Sequence, residues 1–299
     1  MTERFYWTPP GSAIEVPLIE PTYVPQAGRT GLDNIGATLY SARAPYEDGA
    51  RAIGGSFDPR EVVFPFVMIA EDPATMPALR RATMRLFAPN AGVGVLRWVH
   101  EDGVSWVLRC RVVEGVRWDP PGALGQHRLK GTLVLQADDP FFYDAALNTA
   151  SAPMFTGGWS LGAGDPPGTG EWGFPLSFGE RTGVIAVNNA GDVAVPCTLT
   201  LTGPARYPQF ENLTTGDVWK CTQPLLAGEQ LIVSSVFGAK TVYHFNPATG
   251  VRTNALATLR MGSQWIDLVP GPNEISFAGS ESAESATLTV EWYARYLGA

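Results

Sequence analysis

Charge is scarce in this sequence, and lysine is scarcest. Charged residues make up 17% of the chain, where soluble proteins carry roughly a quarter. Only three of the 21 basic residues are lysines, and the balance is acidic, −8 at neutral pH. A protein that grips nucleic acid by neutralising phosphates needs a basic stripe. None is present, so no nucleic-acid partner is expected. Long apolar runs are also missing. No run reaches the roughly 18 residues of a membrane span, so no membrane insertion is expected. The opening MTERFYWTPP has no apolar core of a signal peptide, and a soluble, unsecreted product is expected. There are three cysteines, Cys110, Cys197 and Cys221, widely spaced and without a CxxC pair. That removes the basis for a paired-cysteine zinc site and reads as buried thiols kept reduced in a cytoplasm.

Complete catalytic patterns are absent as well. The three histidines, His100, His127 and His244, form neither His-x-His nor HExxH, so no metal site is expected. The glycine-rich run from Gly164 to Gly170 lacks the Lys-Ser/Thr ending of a phosphate loop. Its two prolines, Pro166 and Pro167, remove amides that would cradle phosphate. One G-x-S-x-G spacing occurs, Gly158-Trp159-Ser160-Leu161-Gly162, inside the glycine- and proline-rich stretch read below as a connector and without the strand-to-helix pattern of a nucleophile elbow. The carboxylate pair Asp138/Asp139 has the chemistry of a glycosidase pair, but 29 acidic residues produce such pairs by chance. Asn212-Leu213-Thr214 fits a glycosylation sequon that is inert without secretion. The chain is read as a non-enzyme, with no catalytic, cofactor-binding or metal residues and no cofactor.

What the chain does have is apolar residues (45%), 33 glycines and 25 prolines. Glycine and proline average roughly 12% together; here they are about a fifth, the mark of short strands and many turns. Ala13–Glu20 alternates in the manner of a half-buried strand, and a loop follows. The apolar stretch Glu61–Ala70 reads as a buried strand, with Pro65 placing it at an edge or bulge. One helix is predicted, 73–88: Asp72 suits the N-cap and Pro73 the first position. Met76, Leu79, Thr83, Leu86 and Phe87 make one stripe, and Arg80, Arg81 and Arg85 lie off it. Strands follow at Val93–Val99, Val104–Val113 and His127–Ala137. In the second of these, Trp106, Leu108, Cys110 and Val112 oppose Arg109 and Arg111. These make a first domain, 1–145.

Residues 146–183 read as a connector arm that is rich in glycine and proline yet carries Trp159, Trp172, Phe174 and Phe178. From 184 to 299, strands are predicted at Val195–Thr202, Asp217–Cys221, Gln230–Ser235, Thr241–Phe245, Gln264–Val269, Glu274–Ala278 and Ala286–Tyr293. Their spacing of about ten residues suggests a β-sandwich. The fold class expected is therefore all-β with one packed helix.

The order of turn motifs in this second domain is informative. Asn188-Asn189-Ala190-Gly191, Val195-Pro196 and Leu201-Thr202-Gly203-Pro204 come first. Asn212-Leu213-Thr214-Thr215-Gly216, Leu226-Ala227-Gly228-Glu229 and Leu268-Val269-Pro270-Gly271-Pro272-Asn273 follow. The succession resembles the C-terminal domain of siphophage tail-component proteins, the distal tail family. Ala88-Pro89-Asn90-Ala91-Gly92 after the helix and Asp138-Asp139-Pro140-Phe141-Phe142-Tyr143 at the domain junction also look like passages of that family. The resemblance implies a first, belt domain that assembles into a six-membered ring and a second, galectin-like sandwich at its periphery. It implies a virion structural protein of the tail tip, assembled in the host cytoplasm, that joins the tail tube to the tail hub and receptor-binding apparatus. The implied partners are its own copies as a hexamer, the tail tube protein, the hub and tip proteins, and receptor-binding proteins or host glycans.

A second reading stays open beside it. Trp219, Tyr243, Trp265 and Trp292 are rings of the kind that stack on sugars, so a carbohydrate-binding module aiding adsorption to the cell envelope is the alternative; core packing explains the same rings. The arginine bias fits interface ion pairs and a GC-rich genome equally. Glu61–Ala70 and the aromatic connector are the candidate contact segments between copies.

Overall fold

The computed structural model describes residues 3–33, 35–46, 48–119, 127–153, 159–161, 176–178, 182–280 and 286–298. These residues are mostly strand, with a single α-helix. The chain divides into two compact units, Met1–Ala145 with Arg295–Ala299, and Ala146–Ala294. The first unit contains β1 (Arg4–Thr8), β2 (Val16–Pro17), β3 (Tyr23–Pro25), β4 (Ala37–Ala42), β5 (Arg51–Phe57) and β6 (Arg60–Ile69). After helix α1 (Met76–Leu86) come β7 (Val93–Val99), β8 (Ser105–Trp118), β9 (Arg128–Ala137) and β10 (Phe142–Asp144). The second unit contains β11 (Asn148–Pro153), β12 (Trp159–Leu161), β13 (Leu176–Phe178), β14 (Thr182–Asn189), β15 (Val195–Thr202), β16 (Arg206–Asn212) and β17 (Asp217–Lys220). It continues with β18 (Gln230–Ser234), β19 (Thr241–Asn246), β20 (Val251–Asn254), β21 (Asp267–Leu268), β22 (Gly271–Ser280) and β23 (Thr287–Trp292). The chain then returns to the first unit as β24 (Arg295–Tyr296).

In the first unit the sheet runs β2-β1-β7-β8-β9-β6-β3, with β10 on β8 and β24 on β10. Alternate residues of these strands face one core: Phe5 and Trp7, Leu96 and Trp98, Leu108 and Cys110, Leu133 and Leu135, Phe64 and Met68. Strands β1 and β6 are not neighbours, yet the rings of Phe5 and Phe64 lie 4.9 Å apart. The sheet therefore curls, and its inner face closes on itself. Strand β1, for which the sequence reading has no place, is central to this core. Its signal, a single Phe-x-Trp alternation, is too short to register as a strand by periodicity. The predicted strand 13–20 shrinks to β2, and Ile14 is exposed.

Pro65 lies in β6, which is flanked by β3 and β9. The Pro65 carbonyl faces the β3 side, where it accepts from the Gln26 amide at 2.9 Å. Its missing N–H faces the same side, next to where β3 ends, so no ladder bond is lost. The buried face of β6 is spent inside its own core, which removes that face of Glu61–Ala70 as a contact between copies.

The helix starts as predicted, with the Asp72 carboxylate accepting from the Ala74 amide at 2.9 Å. Residues Pro73–Thr75 form a 3₁₀ turn, not α-helix. Pro77 has no N–H to give the Pro73 carbonyl, and the Met76 amide takes that acceptor instead. The predicted stripe packs inward. Thr83 and Phe87 are buried, Met76, Leu79 and Leu86 pack on the core, and Thr83 hydrogen-bonds Tyr23 Oη at 2.9 Å. The helix ends at Leu86 and not at 88; Asn90 (φ 63°) and Gly92 (φ 111°) carry the turn.

The second unit packs two sheets around one core. One runs β11-β23-β15-β18-β19-β20, with β21 on β15; the other runs β14-β22-β16-β17. Val195–Thr202 is a strand with the predicted bounds, and Cys197, Leu199 and Leu201 are buried. The domain limits differ from 146–183 and 184–299. Residues 148–153 pair with β23 inside the second unit, and 295–299 belong to the first. Glycine and proline around residues 146–183 hide a strand whose register is set only by its distant partner. Trp159 and Phe178 stand opposite each other in the β12–β13 ladder; Trp172 and Phe174 lie outside the described residues. Strands β16 and β20 are also missing from the sequence reading. Their ladders depend on β22 and β19.

Candidate functional site

Among the described residues, the titratable and nucleophilic groups singled out from the sequence are held in structural contacts. Burial pushes the thiols of Cys110 and Cys197 up to about 12 and raises Cys221 as well, so all three are unreactive thiols at neutral pH. Asp138 pairs with Arg111 at 3.1 Å. Asp139 accepts from Tyr143 Oη and lies 3.7 Å from Arg295. The carboxylate pair is thus committed to structure. Among the described residues no group of His, Cys, Asp and Glu could hold a metal ion, and no helix is long and apolar enough to cross a membrane. Of the four rings suited to sugars, Trp219 and Trp292 are buried in the core. Tyr243 lies under Arg252 at 3.9 Å, and Trp265 has Lys240 at 5.4 Å.

Among the described residues, the histidine with a buried carboxylate partner is His244, 3.0 Å from Glu229. Glu229 also accepts from the Leu226 amide at 2.9 Å and from Asn246 Nδ2 at 2.9 Å, closing the turn from Leu226 to Glu229 onto β19. The Leu226 amide, with His244 and Asn246, holds the Glu229 carboxyl below its ordinary range. A carboxyl depressed in the folded state stabilises above its unfolded value, roughly 4.3. That contribution is lost as pH falls through the folded value. In the full chain, the melting temperature of Glu229→Gln should start lower at neutral pH and fall less on acidification than the wild type. Parallel curves below about pH 5 would remove Glu229 from the acid response.

Two further clusters hold the framework. Arg60, 3% exposed, donates Nε to the Pro140 carbonyl at 2.6 Å and Nη1 to those of Gly31 (2.7 Å) and Asp33 (2.6 Å). Its Nη2 donates to the Leu297 carbonyl, and the guanidinium lies 4.7 Å over the Phe142 ring. Burial lowers its pKa to about 10 against the raising effect of Asp33, which leaves it charged at neutral pH. This is the physical content of the Asp139–Tyr143 passage: Pro140 and Phe142 meet Arg60, while Phe141 and Tyr143 lie under Arg295 at 5.3 and 5.2 Å.

In the second unit, three buried asparagines from the turn motifs converge on one segment. Asn212 Nδ2 donates to the Asp267 carbonyl at 3.0 Å, Asn189 Nδ2 to Leu268 at 3.0 Å and Asn273 Nδ2 to Val269 at 2.7 Å. They pin β21 and the turn after it. The motifs were legible as turns; their convergence was not.

The surface feature that asks for a partner is the β4–β5 hairpin, read as loop from the sequence. All its strand residues are exposed. One face is polar: Tyr40 Oη meets Ser56 Oγ at 3.0 Å, and Thr38 donates to Asp58 at 2.7 Å. The other carries Leu39, lying over Gly55, and Phe57, which packs edge-on to Phe141 at 5.4 Å. A bulge adds Ile53. Leu39 is 81% exposed and Ile53 69%. An isolated two-stranded ribbon is marginal in water, and burying Leu39 and Ile53 alone would supply roughly 3–6 kcal/mol. At the tip, Tyr46 is fully exposed with φ 68°, a conformation that costs about 1–3 kcal/mol for a bulky side chain. Elsewhere in the first unit, a cavity of about 520 Å³ opens beside β3 over Ile19, Val24 and Pro25. Glu3 is paired there with Arg29 at 2.8 Å.

Residues 190–296 match the family described as siphovirus-type tail component, C-terminal domain. Over the whole chain, the fold is similar to that of the Dit protein of phage SPP1, described as a paradigm of the hub adsorption apparatus in phages infecting Gram-positive hosts. That match has a TM-score of 0.66 at 13% identity, covering 97% of this chain and 98% of that one. A chain of the phage P2 baseplate in its activated conformation with calcium matches with a TM-score of 0.55 at 9% identity over 100% of both chains. Its strontium counterpart matches at 0.51 and 8%, covering 97% and 98%. No curated protein matches the sequence closely.

Proposed function

We propose that this chain, whose residues 190–296 match a siphovirus-type tail component domain, is a non-catalytic adaptor of a long-tailed phage tail tip, a ring of identical copies that joins the tail tube to the hub and receptor-binding proteins. The observation that carries this reading is the β4–β5 hairpin, a two-faced ribbon whose aliphatic side has no cover within its own copy. In a closed ring one surface meets a different surface on the next copy, and such a ribbon suits that geometry. The first unit supplies the belt and the second a galectin-like sandwich; the ring is a hexamer, assembled in the host cytoplasm. The titratable groups support adaptor over enzyme, since the buried ones are committed to hydrogen bonds that hold turns and strand ends.

Native mass measurement tests the proposal. Wild-type protein should give a hexamer. A variant with residues 38–56 replaced by a short Gly-Ser turn should give a folded monomer with unchanged far-ultraviolet dichroism outside the lost hairpin. Wild-type protein that stays monomeric, alone and with tail-tube and hub proteins, would reject the ring.

A further inference from the structure

We infer that the hairpin tip of one copy plugs the cavity beside β3 in the next, with the Tyr46 ring seated on the floor made by Ile19, Val24 and Pro25. This rests on the ring reading above and names the surface that receives the hairpin.

Tyr46 stands fully exposed on left-handed backbone, and no contact among the described residues accounts for either. A seven-residue strand carries the tip roughly 20 Å from Phe57, so the aromatic knob projects well away from the body it is anchored to. The cavity, about 520 Å³, is within the size range of sites that enclose a ring and its neighbours, roughly 300–1,000 Å³. Its lining suits a tyrosine, an apolar body with a polar end: aliphatic Ile19, Val24 and Pro25 stand with the Glu3–Arg29 pair and with Arg4, Glu20 and Glu101. None of Arg4, Glu20 and Glu101 has an ion-pair partner among the described residues.

The tip carries charges of both signs as well, Arg43 and Arg51 with Asp48. Arginines arriving beside Glu20 and Glu101, and a carboxylate beside Arg4, would pair charges that now face water. Knob and cavity are different patches of one unit, so their contact is head-to-tail and propagates around a ring. A second copy is therefore the occupant that the shape and the charges of both surfaces favour.

The test uses full-length protein. Tyr46→Cys and Val24→Cys, made separately, mixed and oxidised, should form a disulfide between the two variants; the three native cysteines are buried. Tyr46→Ala should raise the concentration at which the ring half-dissociates at least about tenfold, since well-seated aromatic anchors dominate the energetics of an interface. Glu101→Arg should weaken the ring too, and adding Arg43→Glu with Arg51→Glu should restore it. A wild-type ring whose half-dissociation is unchanged by Tyr46→Ala and Glu101→Arg, with no cross-variant disulfide, overturns this inference and leaves the ring reading intact. A wild-type monomer overturns both.

Discussion

Replacing Arg60 by methionine should cost the first unit about 3–5 kcal/mol, as several backbone carbonyls lose a charged donor at once, and lower its melting transition by roughly 10 °C. Four carbonyls, those of Gly31, Asp33, Pro140 and Leu297, share this one guanidinium. Methionine matches the aliphatic stem and donates nothing, so each of these carbonyls loses its charged donor. Arg60→Lys should recover only part of the loss, because one ammonium cannot reproduce a planar fork that donates in three directions. Truncation after Ala294 removes β24 and the Leu297 acceptor from the same hub. The two changes should therefore combine to less than the sum of their separate effects. Calorimetry of the full chain reads all of this, and a methionine variant melting within about 1 °C of wild type would show that the network is dispensable.

The second unit should be most sensitive at Asn273. Its Nδ2 donates to Val269 and Gly271 carbonyls at 2.7 and 2.9 Å, and its Oδ1 accepts from the Val269 amide at 3.0 Å and Asn212 Nδ2 at 3.3 Å. Asn273→Asp changes almost no volume but points an acceptor at two carbonyls and buries a charge. The expected loss at neutral pH is about 2–4 kcal/mol. The sign with pH is diagnostic. Burial raises the new carboxyl's folded pKa above its unfolded value of roughly 3.9. Its penalty is therefore greatest at neutral pH and shrinks as acid protonates it. Asn273→Ala should be destabilised without that recovery. Equal deficits across pH for both variants would mean that shape, not donor placement, matters at this turn.

Strand content, the single helix and its cap were legible because they are local. Asp72 and Pro73 announce a helix start, and Cys197, Leu199 and Leu201 alternate against threonines within one strand. The turn motifs were readable for the same reason; Gly271, at φ 88°, has the positive dihedral its Pro-Gly-Pro setting suggests. Elements that depend on a distant partner were not readable. β1 becomes central only by lying between β2 and β7, and β11 becomes a strand only beside β23, which lies far along the chain. The exposed hairpin was hidden because Gly54 and Gly55 break its alternation.

For the candidate site the division is similar. Composition and scattered histidines argued against chemistry from the sequence alone, and the ordered turns pointed to the tail-component family. Nothing local distinguishes Arg60 from seventeen other arginines, or Asn212 from any sequon asparagine. Side-chain type and short-range periodicity determined which segments are strands and which turns reverse them. Tertiary structure alone decided which arginine sits among four carbonyls, which asparagines meet at one turn, and which tyrosine is left in water, because each depends on chain segments that only folding brings together.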